Sequence, residues 1–486
     1  MKRIPEQIEF RPELPVIIGN ADYQKFKALL QEIDYLLIES GIEETFVENQ
    51  LLKRHFRSVE NQIRFQKKYR VALRCNIARW LTEKEYRKFS RRLADSPLLQ
   101  WFCRINQIDQ IEVPSKTELW RFDKMVLTKE VKSLMDELNR FALNQKNPLK
   151  LKESLNLEAY FSDTTCLKAN IHFPVDWVLL RDGVRTIINC LEVIRKHRIR
   201  MRMPKPSEFL REINKFSIQM TQSRRKKGAK QKRKQTLRKM KKIAKTVRDH
   251  GIRYKERLEK DWKKSDLSEG QIKQIIKRLE NIINQMPKAI KQAHERIIGG
   301  RKVQNKDKIL SFYEPDIHVI VRGKMNAETE FGNTLFLAEQ SQGLILDWRL
   351  EKEKSIGDIA LMKNSLERIK NVFGEYPKNV GGDRGFWSQD HSNWLQNEKI
   401  YNGICPRKPK ELKEKMKQSR FRKIQKRRAQ TEPRISILKN DFIKSPLKSK
   451  GFENRELSVA WAILTHNLWL LAGLPKRQRN RLKTAA

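Results

Sequence analysis

The chain has 486 residues, several times the length that one well-buried core needs, so two or three domains are expected. Lysine and arginine number 104 against 58 aspartates and glutamates, which gives a formal net charge of +46. So large a charge repels itself unless a polyanion lies against it, and the composition therefore predicts a nucleic-acid partner rather than a membrane surface.

The sequence carries no sign of export. No stretch approaches the roughly 18 uncharged apolar residues of a membrane-spanning helix, and Glu6, Glu9 and Glu13 lie where a secretory signal would be apolar. The five cysteines are scattered, without a C-x-x-C pair that would give zinc-ligand spacing. We therefore expect a cytoplasmic protein whose thiols stay reduced.

Residues 20–145 have apolar positions three or four apart, a pattern that predicts helices, and strand-like alternation is nearly absent. Basic residues lie among these helices, and Ser115 is placed to cap a short helix of the size that enters a DNA major groove. We interpret residues 1–150 as a helical DNA-binding domain. The alternative is that the charges are ordinary solvated faces of a helical domain.

The pattern changes near residue 158, where EAYFSDTTCLKA predicts a strand with Asp163 in its middle. Residues 175–310 then return to helix, and the span 223–242 carries twelve Lys or Arg among twenty residues with no acid. Because the apolar content of this span is too thin for an independent core, long projecting helices ordered by phosphate contact are expected, with a disordered run as the alternative. The predicted DNA-binding residues of this arm are Arg224, Arg225, Lys226, Lys227, Lys232, Arg233 and Lys234.

Strands resume with DIHVIVRGK, followed by TLFLAEQ and LILDWRLE with Gly343 at a hairpin turn. The segment SIGDIALMKNSLERIKNVFG predicts a helix that ends at Gly374. KNVGGDRGFW predicts a short strand opening into a glycine-flanked turn, and TEPRISILKNDFI predicts a helix with Pro433 in its first turn. This order of strand, hairpin, helix, strand and helix predicts an α/β core with a mixed sheet.

Three carboxylates, Asp163, Asp383 and Glu432, are far apart in the chain, but a mixed sheet can bring them to one edge. Two Mg²⁺ ions roughly 3.5 to 4 Å apart need hard oxygen ligands in that arrangement, and Asp163 is predicted to bridge them. The neighbouring glycines 381, 382 and 385 are predicted to let a DNA backbone approach. The alternative is that these acids are surface charges and that Asp383 is only a turn former.

The helix around Glu432 carries two stripes. Ser436 and Lys439 share the face of Glu432, while Ile435, Leu438 and Phe442 form an apolar stripe. Lys439 can hold a phosphate at the cut site, and Arg428, four residues before Glu432, can hold another. Surface ion pairs are the alternative for both.

One aromatic residue lies just past the turn that contains Asp383. Trp387 can stack on a flipped base, although packing of its ring is the alternative.

At these residues the sequence resembles the bacterial insertion-sequence transposases that carry a DDE triad on an RNase H-like fold. YFSDTTCLKANIHFPVDWVLLRDG resembles the segment around the first Asp of that family, and GGDRGF the segment around the second. RAQTEPRISILK is similar to the helix in which three residues separate Arg from Glu and six separate Glu from Lys. Gln425 departs from the pattern, since many members have a Tyr three residues before the Arg.

The resemblance implies an RNase H-like catalytic domain over residues 151–475, interrupted by the basic helical insertion 175–310 and followed by a basic tail, 476–486. It implies that Asp163, Asp383 and Glu432 bind two Mg²⁺ or Mn²⁺ ions and that Arg428 and Lys439 bind the DNA end. The expected reaction is cleavage at the terminal repeats of an element and transfer of the 3′-OH to target DNA. The implied partners are these DNAs and a second copy of the chain on DNA, in a bacterial cytoplasm near the nucleoid.

Two other functions fit the same composition. A catalytically silent nucleic-acid-binding protein would use its basic helices only as a clamp, and a two-metal nuclease would cut DNA without joining it. Substitution of Asp163 separates the first from a transposase, and strand transfer from pre-cut ends separates the second.

Overall fold

The computed structural model describes residues 13–477 apart from 15, 84, 106–110, 224–227, 325–326 and 354–355. The described part of residues 13–150 forms seven helices, as the apolar spacing predicts, and short polar side chains cap several of them. The Ser58 side chain accepts a hydrogen bond from the Asn61 amide, and Ser115 forms a capping box with Glu118. These helices are α1 Ala21–Glu39, α2 Ile42–Leu51, α3 Val59–Leu81, α4 Tyr86–Asp95, α5 Pro97–Cys103, α6 Lys116–Lys124 and α7 Thr128–Ala142.

Among the residues described, the sheet has six strands and contains both parallel and antiparallel pairs. Its path is β4–β3–β1–β5–β6, with β1 antiparallel to β3 and parallel to β5, and β2 pairs with the first half of β3 beside β4. This is the mixed sheet of an RNase H-like α/β core, so the predicted fold class is confirmed. The strands are β1 Ala159–Lys168, β2 His318–Lys324, β3 Ala327–Gln340, β4 Ile345–Leu350, β5 Asn379–Gly381 and β6 Tyr401–Asn402.

Four long helices lie between β1 and β2, and they have a hydrophobic core of their own. From α10 alone, Leu237, Met240, Ala244 and Val247 are fully buried, because they recur at helical spacing among the lysines. The expectation that this span lacks an independent core is therefore wrong, and the disordered alternative fails from Ala229 onwards. The helices are α8 Asp176–Lys196, α9 Pro206–Gln222, α10 Ala229–Asp261 and α11 Glu269–Ala293.

The remaining helices cover the sheet. They are α12 Asp358–Phe373, α13 Gln389–Asn397, α14 Pro409–Lys417, α15 Ser419–Arg428, α16 Thr431–Ile437 and α17 Phe452–Gly473. As predicted, α12 ends at Gly374, whose φ is +83°, and Pro433 lies in the first turn of α16. The sequence did not predict that α16 passes into a π-helical turn at Leu438–Ile443.

Helix α17 is apolar on nearly all sides and is buried along most of its length. It packs against α7, α1, α3 and β4, so one hydrophobic core joins the N-terminal helices to the sheet. Among the helices that the structure describes, none combines the length and apolarity that crossing a bilayer requires. All five cysteines are free, and four of them are buried.

Candidate active site

The register of two parallel strands places two of the predicted carboxylates at one edge of the sheet. The last residues paired between β1 and β5 are Phe161 and Gly381. Asp163 and Asp383 each follow two residues later. Asp163 is half-buried and Asp383 is exposed, as expected where a sheet edge opens to solvent.

Helices α15 and α16 and the π turn run over one face of β1. The Arg427 guanidinium lies 4.7 Å from the centre of the Phe161 ring, and Lys439 Nζ donates to Thr165 Oγ1 at 3.1 Å and to the Cys166 carbonyl at 2.9 Å. Because side chains alternate along a strand, Phe161, Asp163 and Thr165 share that face. Asp163 thus lies on β1 between Phe161 and Thr165, the two residues that these side chains contact. Glu432 lies between Arg427 and Lys439 in the helical segment that makes the contacts.

A buried acid on β3 holds this helical segment. Glu339, 5% exposed, accepts hydrogen bonds from Arg427 Nη2 at 3.0 Å and Thr431 Oγ1 at 2.8 Å. Arg434 lies 3.9 Å from the same carboxylate, and burial lowers the pKa of its guanidinium. Glu432 follows Thr431 directly, so its position on the helix depends on the Glu339 contacts.

The two predicted DNA-end cations occupy different surroundings. Arg428 Nε donates to Gln425 Oε1 at 3.2 Å, and Gln425 Nε2 donates in turn to the Gly403 carbonyl at 2.6 Å. Gln425, the departure from the family pattern, therefore ties Arg428 to the loop after β6. Lys439 is held against β1 as described above.

The glycines around Asp383 serve packing rather than an approach by DNA. A Cβ on Gly381 would meet the Phe161 ring at 2.7 Å and Ile424 at 3.0 Å, and one on Gly382 would meet Met362 at 3.0 Å. Gly381 and Gly382 are buried. The sequence-based interpretation of these two glycines as clearance for a DNA backbone is therefore wrong.

A fourth carboxylate, which the sequence analysis missed, lies close to Asp383. A Cβ on Gly385 would be 2.8 Å from Asp358 Oδ2 and 3.0 Å from Asp383 Oδ1. Asp358 is the first residue of α12, where an acid is also expected to favour the helix dipole. Because an acid is common at the start of a helix, nothing in the sequence singled out Asp358.

The donor chemistry suits a hard divalent cation, because Asp163, Asp383 and Glu432 offer only carboxylate oxygens. Asp383 Oδ1 accepts from the Gly385 amide at 2.8 Å, and Asp163 Oδ1 accepts from the Thr164 amide at 2.7 Å. Across the described residues, no three His, Cys, Asp or Glu side chains form a group that could hold a metal ion. The fold thus gathers the segments that carry the carboxylates, while a three-ligand cluster is not formed.

The other predicted DNA-binding residues are distributed as follows. Arg224, Arg225, Lys226 and Lys227 lie outside the described residues. Lys232 is exposed and Lys234 half-buried, while the Arg233 guanidinium lies 5.0 Å from the centre of the Trp177 ring. Trp387 is half-buried and packs against the main core, as the packing alternative expects.

One protein family matches the segment that contains Asp383 and Glu432. Residues 333–468 match the family described as "Transposase DDE domain". This segment of the chain is similar to the DDE transposases. The match begins on β3 and includes Asp383, Glu432 and Lys439, whereas β1 with Asp163 and the helical insertion lie outside it. Neither curated proteins nor solved structures gave a match.

The match supports a transposase-type function in DNA recombination. The matched family implies DNA as a partner and generally uses divalent metal ions. Because the family match does not reach Asp163, the role of that residue depends on the β1–β5 register.

Proposed function

We propose that this chain is a DDE transposase, which cuts phosphodiester bonds at the ends of its element and joins the resulting 3′-OH to target DNA. The observation that carries the proposal is the β1–β5 register, which places Asp163 and Asp383 two residues beyond their last shared pair. The segment bearing Glu432 is anchored on the same face through Arg427 and Lys439.

Asp163, Asp383 and Glu432 would hold two Mg²⁺ or Mn²⁺ ions through their carboxylate oxygens. When bound, such ions activate a water for in-line attack and stabilise the leaving oxygen. Glu432 is exposed at the start of α16, and we propose that its carboxylate joins those of Asp163 and Asp383 when the metal binds. The proposed ligand cluster thus assembles on binding.

Two cations position the DNA. Arg428, oriented by Gln425, binds a backbone phosphate through its planar guanidinium. Lys439 Nζ already donates to Thr165 and Cys166 beside Asp163, so we assign it to the phosphate next to the cut. Together they hold the DNA end in register with the carboxylates.

The other parts of the chain have proposed roles in DNA handling. Residues 1–150 bind the element end, and the basic face of the 175–310 insertion contacts DNA through its phosphates. Pairing of two ends by a homodimer on DNA is proposed by analogy with the family.

The experiment uses the full chain, a duplex carrying an element end, and a supercoiled target. Asp163→Asn and Asp383→Asn are expected to abolish cleavage and to retain binding of the end. The matched control is Asp390→Asn, which changes an exposed aspartate on α13 and leaves cleavage intact. If Asp163→Asn cuts as wild type does, the triad proposal is wrong. If the wild-type chain binds the end and cuts no DNA, a DNA-binding protein without catalysis becomes the better description.

Strand transfer is tested separately with pre-cut ends. Labelled ends with a free 3′-OH are incubated with the protein, Mn²⁺ or Mg²⁺ and target DNA, and joined products are resolved on a denaturing gel. Products joined to target support a transposase. Cleavage of uncut ends without any joining of pre-cut ends would indicate a nuclease instead.

A further inference from the structure

Helix α6 carries an exposed tryptophan, and α4, which packs against α6, carries exposed arginines. Trp120 is 50% exposed, whereas Leu119 and Phe122 of the same helix are buried. On α4 only Phe89 and Leu93 are buried, so the arginines project to the opposite side. We call this the α4–α6 surface; it comprises Arg87, Arg91, Arg92, Lys116, Trp120 and Arg121, all exposed.

The two helices are held rigidly together. Asp123 of α6 accepts from Arg79 of α3 at 3.1 Å and from the hydroxyl of Tyr86, on α4, at 2.6 Å. The Ser90 hydroxyl donates to the Pro114 carbonyl at 2.9 Å, just before α6 begins. The surface is therefore formed before any ligand binds, which lowers the entropic cost of binding.

The α4–α6 surface leads toward the candidate active site. Glu85, at the start of α4, pairs with Lys448 at 2.8 Å, and Lys448 lies in the segment that follows the π turn bearing Lys439. That segment is fixed to β1, because the Leu447 amide donates to the Lys168 carbonyl at 3.1 Å. Exposed lysines at 444, 448 and 450 thus connect α4 to the proposed cutting site.

We propose that the α4–α6 surface binds duplex DNA of the element end, an inference that rests on the proposed function and deepens it. Five positive charges on this surface complement a phosphate backbone. Helix α6, with nine residues, is about 13 Å long at 1.5 Å per residue, comparable with the width of a major groove. Trp120 then makes apolar contact with base edges while Arg87, Arg91 and Arg92 bind the flanking phosphates.

The test measures binding by the full chain without divalent metal. One labelled probe is a 30-base-pair duplex from an end of the element that encodes the chain, and the other is an unrelated duplex of about the same length and composition. For Arg87→Gln/Arg91→Gln, the slope of log Kd against log salt is expected to fall by about 2, since each lost phosphate contact removes about 0.9. Trp120→Ala is expected to keep that slope and to lose about tenfold of the preference for the end duplex.

A matched control changes two exposed lysines outside residues 1–150. Lys152 lies between α7 and β1, and Lys370 lies on α12. Lys152→Gln/Lys370→Gln removes the same charge and should leave both the slope and the preference unchanged. If this control lowers the slope as much as the arginine pair, the effect is one of net charge and the proposed surface is wrong.

The outcomes separate this inference from the proposed function. If the arginine pair and Trp120→Ala both bind the end duplex as wild type does, the surface assignment is overturned while cleavage by Asp163 and Asp383 still stands. If Trp120→Ala changes only self-association of the protein, the surface binds a partner chain and the assignment is also overturned. If wild type binds through this surface but does not cut DNA with Mg²⁺ or Mn²⁺, the proposed function fails and the inference survives.

Discussion

Asp163 and Asp383 follow Phe161 and Gly381, the last residues that pair β1 with β5, by the same two positions. Asp163 is still paired with β3, whereas Asp383 lies just past the end of β5. Because both carboxylates are two residues beyond one shared pair, we expect them at the same level along the strands. This relationship depends on the close packing of Gly381 against the Phe161 ring. A change at Gly381 therefore tests whether the register supports the activity.

Gly381→Ala is expected to lower the free energy of unfolding by roughly 1–3 kcal/mol, because the new methyl group would meet Phe161 and Ile424. The cleavage rate should fall more than the affinity for DNA, because a shift of the chain at Gly381 displaces Asp383, the proposed metal ligand two residues later. Urea denaturation and a cleavage assay measure the two effects. Gly270→Ala is the control, because a Cβ at this exposed position in the first turn of α11 meets nothing within 4 Å; a comparable loss there would contradict the packing argument.

Glu339→Gln removes the charge from a buried carboxylate that accepts from Arg427 and Thr431. Leaving Arg427 without its buried partner is expected to cost about 3–5 kcal/mol of stability. At temperatures where the variant stays folded, cleavage should be impaired while binding of the DNA end persists, because the segment with Glu432 loses its anchor.

Glu330→Gln provides the comparison on the same strand. Glu330 pairs with Lys168 at 3.1 Å, but the lysine side chain is 50% exposed, so this pair contributes little. Chemical denaturation and cleavage should both stay close to wild type. Equal losses in Glu330→Gln and Glu339→Gln would show that the Glu339 contacts have no special role in placing α16.

The sequence predicted the elements of the site better than their contacts. The aromatic, Thr and Cys content of the segment around Asp163 located its strand, and Pro433 with the apolar stripe beyond it located the helix that begins near Glu432. The hydrogen bonds from Arg427 and Thr431 to Glu339 could not be predicted, because they form only when β3 pairs with β1 and α16 packs against that sheet. The core of the insertion was missed because Leu237 and Met240 recur at helical spacing inside a run of lysines, where composition conceals a narrow apolar stripe.

Asp383→Cys tests the metal ligand directly. A thiolate is a softer ligand than a carboxylate, and Mn²⁺ accepts it more readily than Mg²⁺ does. Cleavage with Mg²⁺ is therefore expected to fall to background and to recover in part with Mn²⁺, as followed on labelled end duplexes. Asp390→Cys, an exposed change on α13, should cut with either ion; absence of any Mn²⁺ recovery in Asp383→Cys, with folding intact, would argue against direct ligation by Asp383.

His466 predicts a pH dependence of stability. Burial lowers the pKa of this imidazole to about 4 from an ordinary 6.5, and its ring packs 5.3 Å from the Phe442 ring, in the π turn that carries Lys439. Below pH 6.5 the imidazole binds a proton in the unfolded chain but stays neutral in the folded chain. The free energy of unfolding therefore keeps its full contribution from this group above pH 6.5 and falls as the pH drops from about 6.5 to 4. The loss amounts to roughly 3 kcal/mol at 1.4 kcal/mol per pKa unit.

Denaturant titrations of wild type and His466→Gln at pH 5 and pH 7.5 measure this loss. The difference in stability between the two pH values should be smaller in His466→Gln than in wild type. The control His172→Gln, at an exposed histidine, should show the wild-type difference. An unchanged pH difference in His466→Gln would mean that the buried imidazole does not cause this loss.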